Sequence, residues 1–112
     1  MSPVDAVYMS ISDVVPDKQK FIESTRHYEF IPIIESGETV GAVMANGPEV
    51  HIGTIKPFNL RRALREIVHP ILLKHGFLIT FAERPSSVKF VQRIGFERDG
   101  EKWILRGEKW AF

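Results

Sequence analysis

The chain has 112 residues, room for a single domain with one core, because domains centre on roughly 100 to 150 residues and no change of composition divides it. Its 44% hydrophobic and 26% charged residues exclude a disordered chain, and fifteen basic against fourteen acidic side chains exclude the broad positive field of a dedicated nucleic-acid or membrane-surface binder. Without cysteine there is no disulfide scaffold, thiolate metal site or cysteine nucleophile; with no apolar run near the roughly 20 residues that span a bilayer and no signal-peptide start, a soluble cytoplasmic protein is expected.

Residues 5–12, DAVYMSIS, carry Val7, Met9 and Ile11 on alternate positions, which predicts a half-buried strand. Pro16 and Asp17 then open a polar stretch with Phe21, Ile22 and Tyr28 at helical spacing, predicting a helix over about residues 17–28. From Phe30 the pattern becomes three short apolar runs, FIPIIE, ETVGAVMA and EVHIGTI, separated by Ser36-Gly37 and Asn46-Gly47-Pro48. An antiparallel meander with tight turns follows, since those residues supply the positive φ that two-residue turns demand. Pro32 cannot donate to a ladder and predicts an edge or a bulge in the first of the three strands. Gly53 marks a bulge, a close approach of backbone to ligand, or a crowded packing position.

Asn59 can cap the next element, where Leu60, Ala63, Leu64, Ile67, Val68, Ile71 and Leu72 recur at i, i+3, i+4, i+7, i+8. Lys74, His75 and Gly76 close this helix, and Pro70 predicts a kink within it. Phe77 to Ala82 is a continuous apolar run suited to a buried strand, expected parallel to the strand before the helix. Pro85 to Ile94 form a short helix ended by Gly95, with Ser86 or Ser87 near its start. Phe96 to Arg98 and Glu101 to Arg106 make a last hairpin around Asp99-Gly100. Trp110 and Phe112 then need burial in the core or against another chain, which leaves a homodimer open. The predicted fold class is α/β: one domain over residues 1–112, with a mixed sheet of about six to seven strands and about three helices.

This order of elements resembles the GCN5-related N-acetyltransferase fold, a family of acetyl-coenzyme A users. The segment 87–96, SVKFVQRIGF, is similar to that family's late motif, a short helix ending in a hydrophobic residue followed by Gly-Phe. The segment 55–64, IKPFNLRRAL, resembles its central motif, in which a strand ends near a proline and a helix N-terminus receives the pyrophosphate. The likeness covers residues 30–106 well and 1–29 loosely. It implies transfer of acetyl from acetyl-CoA to an amine acceptor, with cofactor-binding positions at Ile55, Arg61, Arg62, Ala63, Leu64 and Arg65 and oxyanion donors among backbone N–H groups near Ile55. The chain also departs from the family's pattern. Leu60, Ala63 and Arg65 stand where the motif has Arg or Gln, Gly, and Gly or Ala, so bare backbone has less access to phosphate. Val91 stands where many members carry a tyrosine general acid, and Arg84 replaces the late motif's starting asparagine. Short divergent proteins of this type also occur in bacteriophage genomes, some as virion components, so a non-catalytic binding or structural module is the alternative reading.

Two sets of polar residues bear on chemistry. Arg61, Arg62 and Arg65 fall in the first turns of the long helix, where cations oppose the macrodipole by about 0.3–1 kcal/mol each. They either face a phosphate, which guanidinium groups pair bidentately, or form a solvated face with Glu66 nearby. Glu49 and His51 alternate on one strand and share a face with Gly53; His51 suits amine deprotonation and Glu49 would if partly buried, against an ordinary polar sheet face. Glu35 and Glu38 flank a turn and are expected in solvent. His27, His69 and His75 are too scattered for a metal site. A helix cap explains Ser86 and Ser87 better than a triad does. Trp103, Trp110 and Phe112 beside Lys102, Arg106 and Lys109 could stack bases, a third and weaker reading in which the arginine cluster serves nucleic acid.

Overall fold

The computed structural model describes residues 2–12, 16–110 and 112. Its first element corrects the sequence expectation: Pro3–Ile11 is a helix, α1, not a strand. Val7, Met9 and Ile11 alternate, but Val4, Val7, Tyr8 and Ile11 also lie at i, i+3, i+4, i+7, and that set packs into the core while Met9 stays half exposed. Ser2 caps the helix, its Oγ accepting from the N–H of Asp5 at 3.1 Å, and Pro3 occupies the first turn, where no N–H is needed. The second helix, α2 (Lys18–Thr25), is capped by Asp17 and ends before Tyr28, which lies in the approach to the sheet.

The meander forms as the turn residues dictate. Strands β1 (Glu29–Glu35), β2 (Glu38–Asn46) and β3 (Glu49–Thr54) pair antiparallel in sequence. Ser36 and Gly37 both have positive φ, 51° and 79°, and Gly47 has 58°, the handedness that matches strand twist in two-residue loops. β1 is an edge strand with a register shift between Ile33 and Ile34, beside Pro32 as its missing N–H requires.

The long helix runs from residue 60 to 75 in three segments: α3 (Leu60–Ala63), a π-helical stretch (Leu64–Val68) and α4 (His69–His75). Pro70 explains the middle one. It lacks the N–H that would bond Glu66 O, and its ring crowds that carbonyl; the chain widens instead, with His69 N–H donating to Leu64 O. Gly76, at φ 80°, ends the helix and turns it into β4 (Phe77–Thr80). The helix α5 (Pro85–Ile94) has the predicted bounds, with Gly95 at φ 117°. No side chain caps its start, so Ser86 and Ser87 are not the caps expected. Strands β5 (Glu97–Asp99) and β6 (Lys102–Arg106) close the sheet, followed by a 3-10 turn at Gly107–Lys109.

Among the described residues six strands form one mixed sheet of order β1-β2-β3-β4-β6-β5, antiparallel throughout except for the parallel pair β3 and β4. The main core joins Leu64, Val68 and Leu72 of the long helix to Val91 and Ile94 of α5, Leu78 of β4 and Leu105 of β6. A second cluster on β2, of Ala42 and Met44 with Val7 and Phe21, seats α1 and α2. The tail folds back, Trp110 stacking on His69 at 4.8 Å, so it finds its burial within the chain. No helix among the described residues is long and apolar enough to cross a membrane.

Candidate functional site

The site follows from one defect in the sheet. β3 and β4 share a single paired position, Glu49 with Ile79, where the N–H of Ile79 donates to Pro48 O at 2.8 Å. Beyond it the strands diverge and leave a cavity of about 320 Å³. Ile52 and Thr54 of β3 form one wall, Phe81 and Ala82 the other; Leu64 and Val68 of the long helix and Phe90 and Val91 of α5 close the apolar end.

The edge of β3 along this cleft carries bare backbone. Ile55 N–H donates to Val40 O at 2.8 Å, and because ladder groups alternate, Gly53 and His51 also turn theirs toward β2. The N–H and C=O of Ile52 and Thr54 therefore point toward β4, where they have no strand partner. The N–H of Ile55 itself is engaged within the sheet, so the donors near it that face the cleft are those of Ile52 and Thr54. Gly53 is explained by packing: a Cβ there would stand 2.8 Å from Ser10 Oγ and 3.1 Å from Val7 Cγ1, so α1 requires the glycine.

At the vertex of the cleft, register assembles a polar group. Met44 pairs with both Phe30 and His51, and Asn46 pairs with Glu49, so Tyr28, Glu49 and His51 meet on the α1 side of the sheet. His51 Nε2 lies 2.7 Å from Glu49 Oε2, and the Tyr28 hydroxyl donates to the same oxygen. An ionised carboxylate only accepts, so Nε2 donates to it, and in the neutral ring Nδ1 is the nitrogen that can accept a proton. Burial would raise the Glu49 carboxyl, but the hydrogen bonds from Tyr28 and His51 and the positive charge of His51 and His27 hold it below its ordinary value. Burial, with the bond to Glu49 and its charge, pushes the Tyr28 phenol up to about 12. The ring of Phe81 stacks on His51 at 6.3 Å, and both line the cleft. Tyr28 and Phe81 were missed in the sequence: Tyr28 lies 21 residues from Glu49, and only strand register joins them.

The long helix borders this cleft. Arg61 and Arg65 are exposed at its start, while Ala63 and Leu64 are buried, Leu64 at 1% exposure in the cleft floor. Arg62 is otherwise engaged: its Nη2 donates to Glu35 Oε1 at 2.5 Å and to Ile34 O at 3.0 Å. Glu35, expected in solvent, also accepts from the backbone N–H of Asn59 at 2.7 Å; that bond, with the Arg62 guanidinium, holds its carboxyl below the ordinary range. A carboxylate thus sits at the start of the long helix, in the position where the resemblance implies a phosphate. Val91 lines the cleft without a hydroxyl, although Ser86 and Ser87 of the same helix reach it. Trp103 is buried and donates to Ala82 O, so it offers no face for stacking bases. No group of three or more His, Cys, Asp or Glu side chains that could hold a metal ion occurs among the described residues. Comparison of the chain with models of known protein families, with curated proteins and with solved structures finds no match.

Proposed function

We propose that the chain is an acyl-CoA-dependent N-acetyltransferase of the GCN5-related type, moving acetyl from acetyl-CoA to an amine. The observation that carries this reading is the divergence of the one parallel strand pair into a cleft bounded by both flanking helices, since the resemblance implies a sheet splayed at this strand with the pantetheine arm along its edge. The α-helical start at α1 removes one element from the order on which the resemblance stood; the elements from β1 onward keep it.

The cleft suits an amide-bearing arm better than it suits a pyrophosphate. Ile52 and Thr54 offer unpaired N–H and C=O groups along one wall, the pattern a strand-like ligand needs. Acetyl-CoA supplies an activated acyl group. The Ile52 N–H gives a donor for negative charge developing on a carbonyl oxygen in this cleft. As the amine nitrogen bonds to the acyl carbon and the carbon–sulfur bond breaks, His51, oriented by Glu49, takes the amine's proton on Nδ1 and CoA leaves as its thiolate. Tyr28 fixes Glu49 and thereby the ring; it is a positioning residue. Arg61 and Arg65 are the cations left for phosphate, Arg62 being held by Glu35.

Thermal unfolding with acetyl-CoA, with free CoA and without ligand tests this. Ligand at a hundred times its Kd stabilises by about 2.7 kcal/mol, which for this size is a shift on the order of 10 °C. The shift should shrink in Arg61→Ala and Arg65→Ala. No shift at millimolar ligand overturns the proposal. The Glu35 carboxylate at the helix start favours a second reading, a non-catalytic module keeping this fold, and that outcome would support it.

A further inference from the structure

We propose that Glu49, in its wall of aromatic rings, binds an alkylammonium group, so that the acceptor is a cationic aliphatic amine. Naming this ligand as the acceptor rests on the acyltransferase reading; the binding itself does not.

Four observations converge. Both internal hydrogen bonds of Glu49, from Tyr28 and His51, fall on Oε2, and among the described residues Oε1 has no partner. A carboxylate oxygen has lone pairs for two or more donors, so one side of this group is unused. The carboxylate is half-buried, where an unshared charge is unfavourable and a cation would be held more strongly than in open solvent. It also lacks a permanent counter-charge. Of the four carboxylates in ion pairs among the described residues, Asp5 faces Lys18, Glu38 faces Lys56 and Glu35 faces Arg62, whereas Glu49 pairs with the imidazole of His51 and has His27 nearby, neither of them a permanent cation.

The surroundings select the shape of the missing cation. Tyr28 and His51 meet edge to face at 5.8 Å, and His51 and Phe81 lie nearly parallel, 16° apart. Phe81 is 50% exposed, so part of its ring is open to a ligand. Aromatic faces attract ammonium through their quadrupole, and alkyl carbons next to the nitrogen cover the ring as water does not. A hydrated metal ion would find one free carboxylate oxygen and, among the described residues, no further ligand cluster. An anionic acceptor would meet Glu49 itself. A primary alkylammonium uses every part of the shelf: N–H bonds to Oε1, charge against the carboxylate and rings, and a methylene stem along Phe81. His51 and Phe81 line the cleft and Glu49 stands at the paired position from which it opens, so such a ligand sits beside the vertex of the cleft.

The test is an NMR titration of the His51, Tyr28 and Phe81 ring protons with n-butylammonium chloride, against 1-pentanol as a neutral analogue of similar length and sodium chloride at matched ionic strength. Saturable shifts with the ammonium, at least tenfold weaker with the alcohol and absent with the salt, are expected. Glu49→Gln should weaken ammonium binding at least tenfold. Phe81→Ala, at an exposed position that folding does not need, should weaken it several-fold and keeps the test open if Glu49→Gln unfolds. Equal binding of alcohol and ammonium, binding unaltered in either folded variant, or no saturable shift at about 100-millimolar ligand, a free energy of association of only about 1.4 kcal/mol, overturns the proposal. An acetyl-CoA thermal shift without ammonium binding would sink this inference and leave the acyltransferase standing; ammonium binding without that shift would do the reverse.

Discussion

Replacing Gly53 by alanine puts a methyl carbon 2.8 Å from Ser10 Oγ, 3.1 Å from Val7 Cγ1 and 3.3 Å from Val7 Cα. The hydroxyl could swing away only by giving up its 2.6 Å bond to Val7 O, and the Val7 contacts require α1 to retreat by a few tenths of an ångström. Overpacking of this kind costs about 1–3 kcal/mol, offset by the roughly 0.4–1 kcal/mol that alanine gains over glycine through the unfolded chain. A net loss of about 1–2 kcal/mol is expected, read as a fall in Tm of about 4–8 °C per kcal/mol. Ser10→Ala in the same background should recover part of the loss, a coupling of about 1 kcal/mol in a double-mutant cycle by urea denaturation. Alanine at position 53 that is neutral or stabilising, or effects that add to within about 0.5 kcal/mol, would refute the packing argument. An unchanged Tm with weakened acetyl-CoA binding would instead make Gly53 a point of ligand approach.

Leu64→Ala, at a fully buried position that also floors the cleft, should cost about 2–5 kcal/mol in urea denaturation and widen the cavity. Glu49→Gln should be less stable than the wild type at neutral pH, and because the folded carboxyl is depressed from its ordinary 4.5, that stability is present above 4.5 and lost as pH falls through the folded value; the two proteins should converge in denaturation midpoints at acid pH. Arg62→Ala should lower Tm, because it removes the partner of Glu35 and a bond to Ile34 O, whereas Arg61→Ala at an exposed position should leave Tm in place; equal Tm values for all three proteins would contradict the Glu35 clamp. Val91→Tyr would press a large ring into a buried position and should lower stability by about 1–3 kcal/mol, measurable in the same way.

Much of the fold was legible because it rests on local rules. The apolar stripe from Leu60 to Leu72, Gly76 and Gly95 at helix ends, and Ser36-Gly37 and Gly47 at turns each need only a few neighbouring residues to act, and each element formed where those residues stand. The first segment failed because its apolar residues satisfy two periods at once. The cap Ser2, with Pro3 and Asp5, was the local signal that would have decided for the helix, and α1 packing over Gly53 is what makes the helical face the buried one.

The site was legible as residue types and not as an assembly. Glu49 and His51 could be placed on one face by alternation alone, and so could be weighed as a pair. Whether Arg62 is available to a phosphate was decided by Glu35, 27 residues away with β2 and β3 between them. Tyr28 joined Glu49 only through the register of two antiparallel pairs, and Phe81 joined His51 only because β4 returns parallel to β3. The sequence by itself determined the long helix, α5, the meander and the chemistry on offer, since these depend on hydrogen bonds and burial within short stretches of chain. Tertiary structure alone decided which backbone groups of β3 stay unpaired and which oxygen of Glu49 stays unused, because both depend on where one strand diverges from its neighbour.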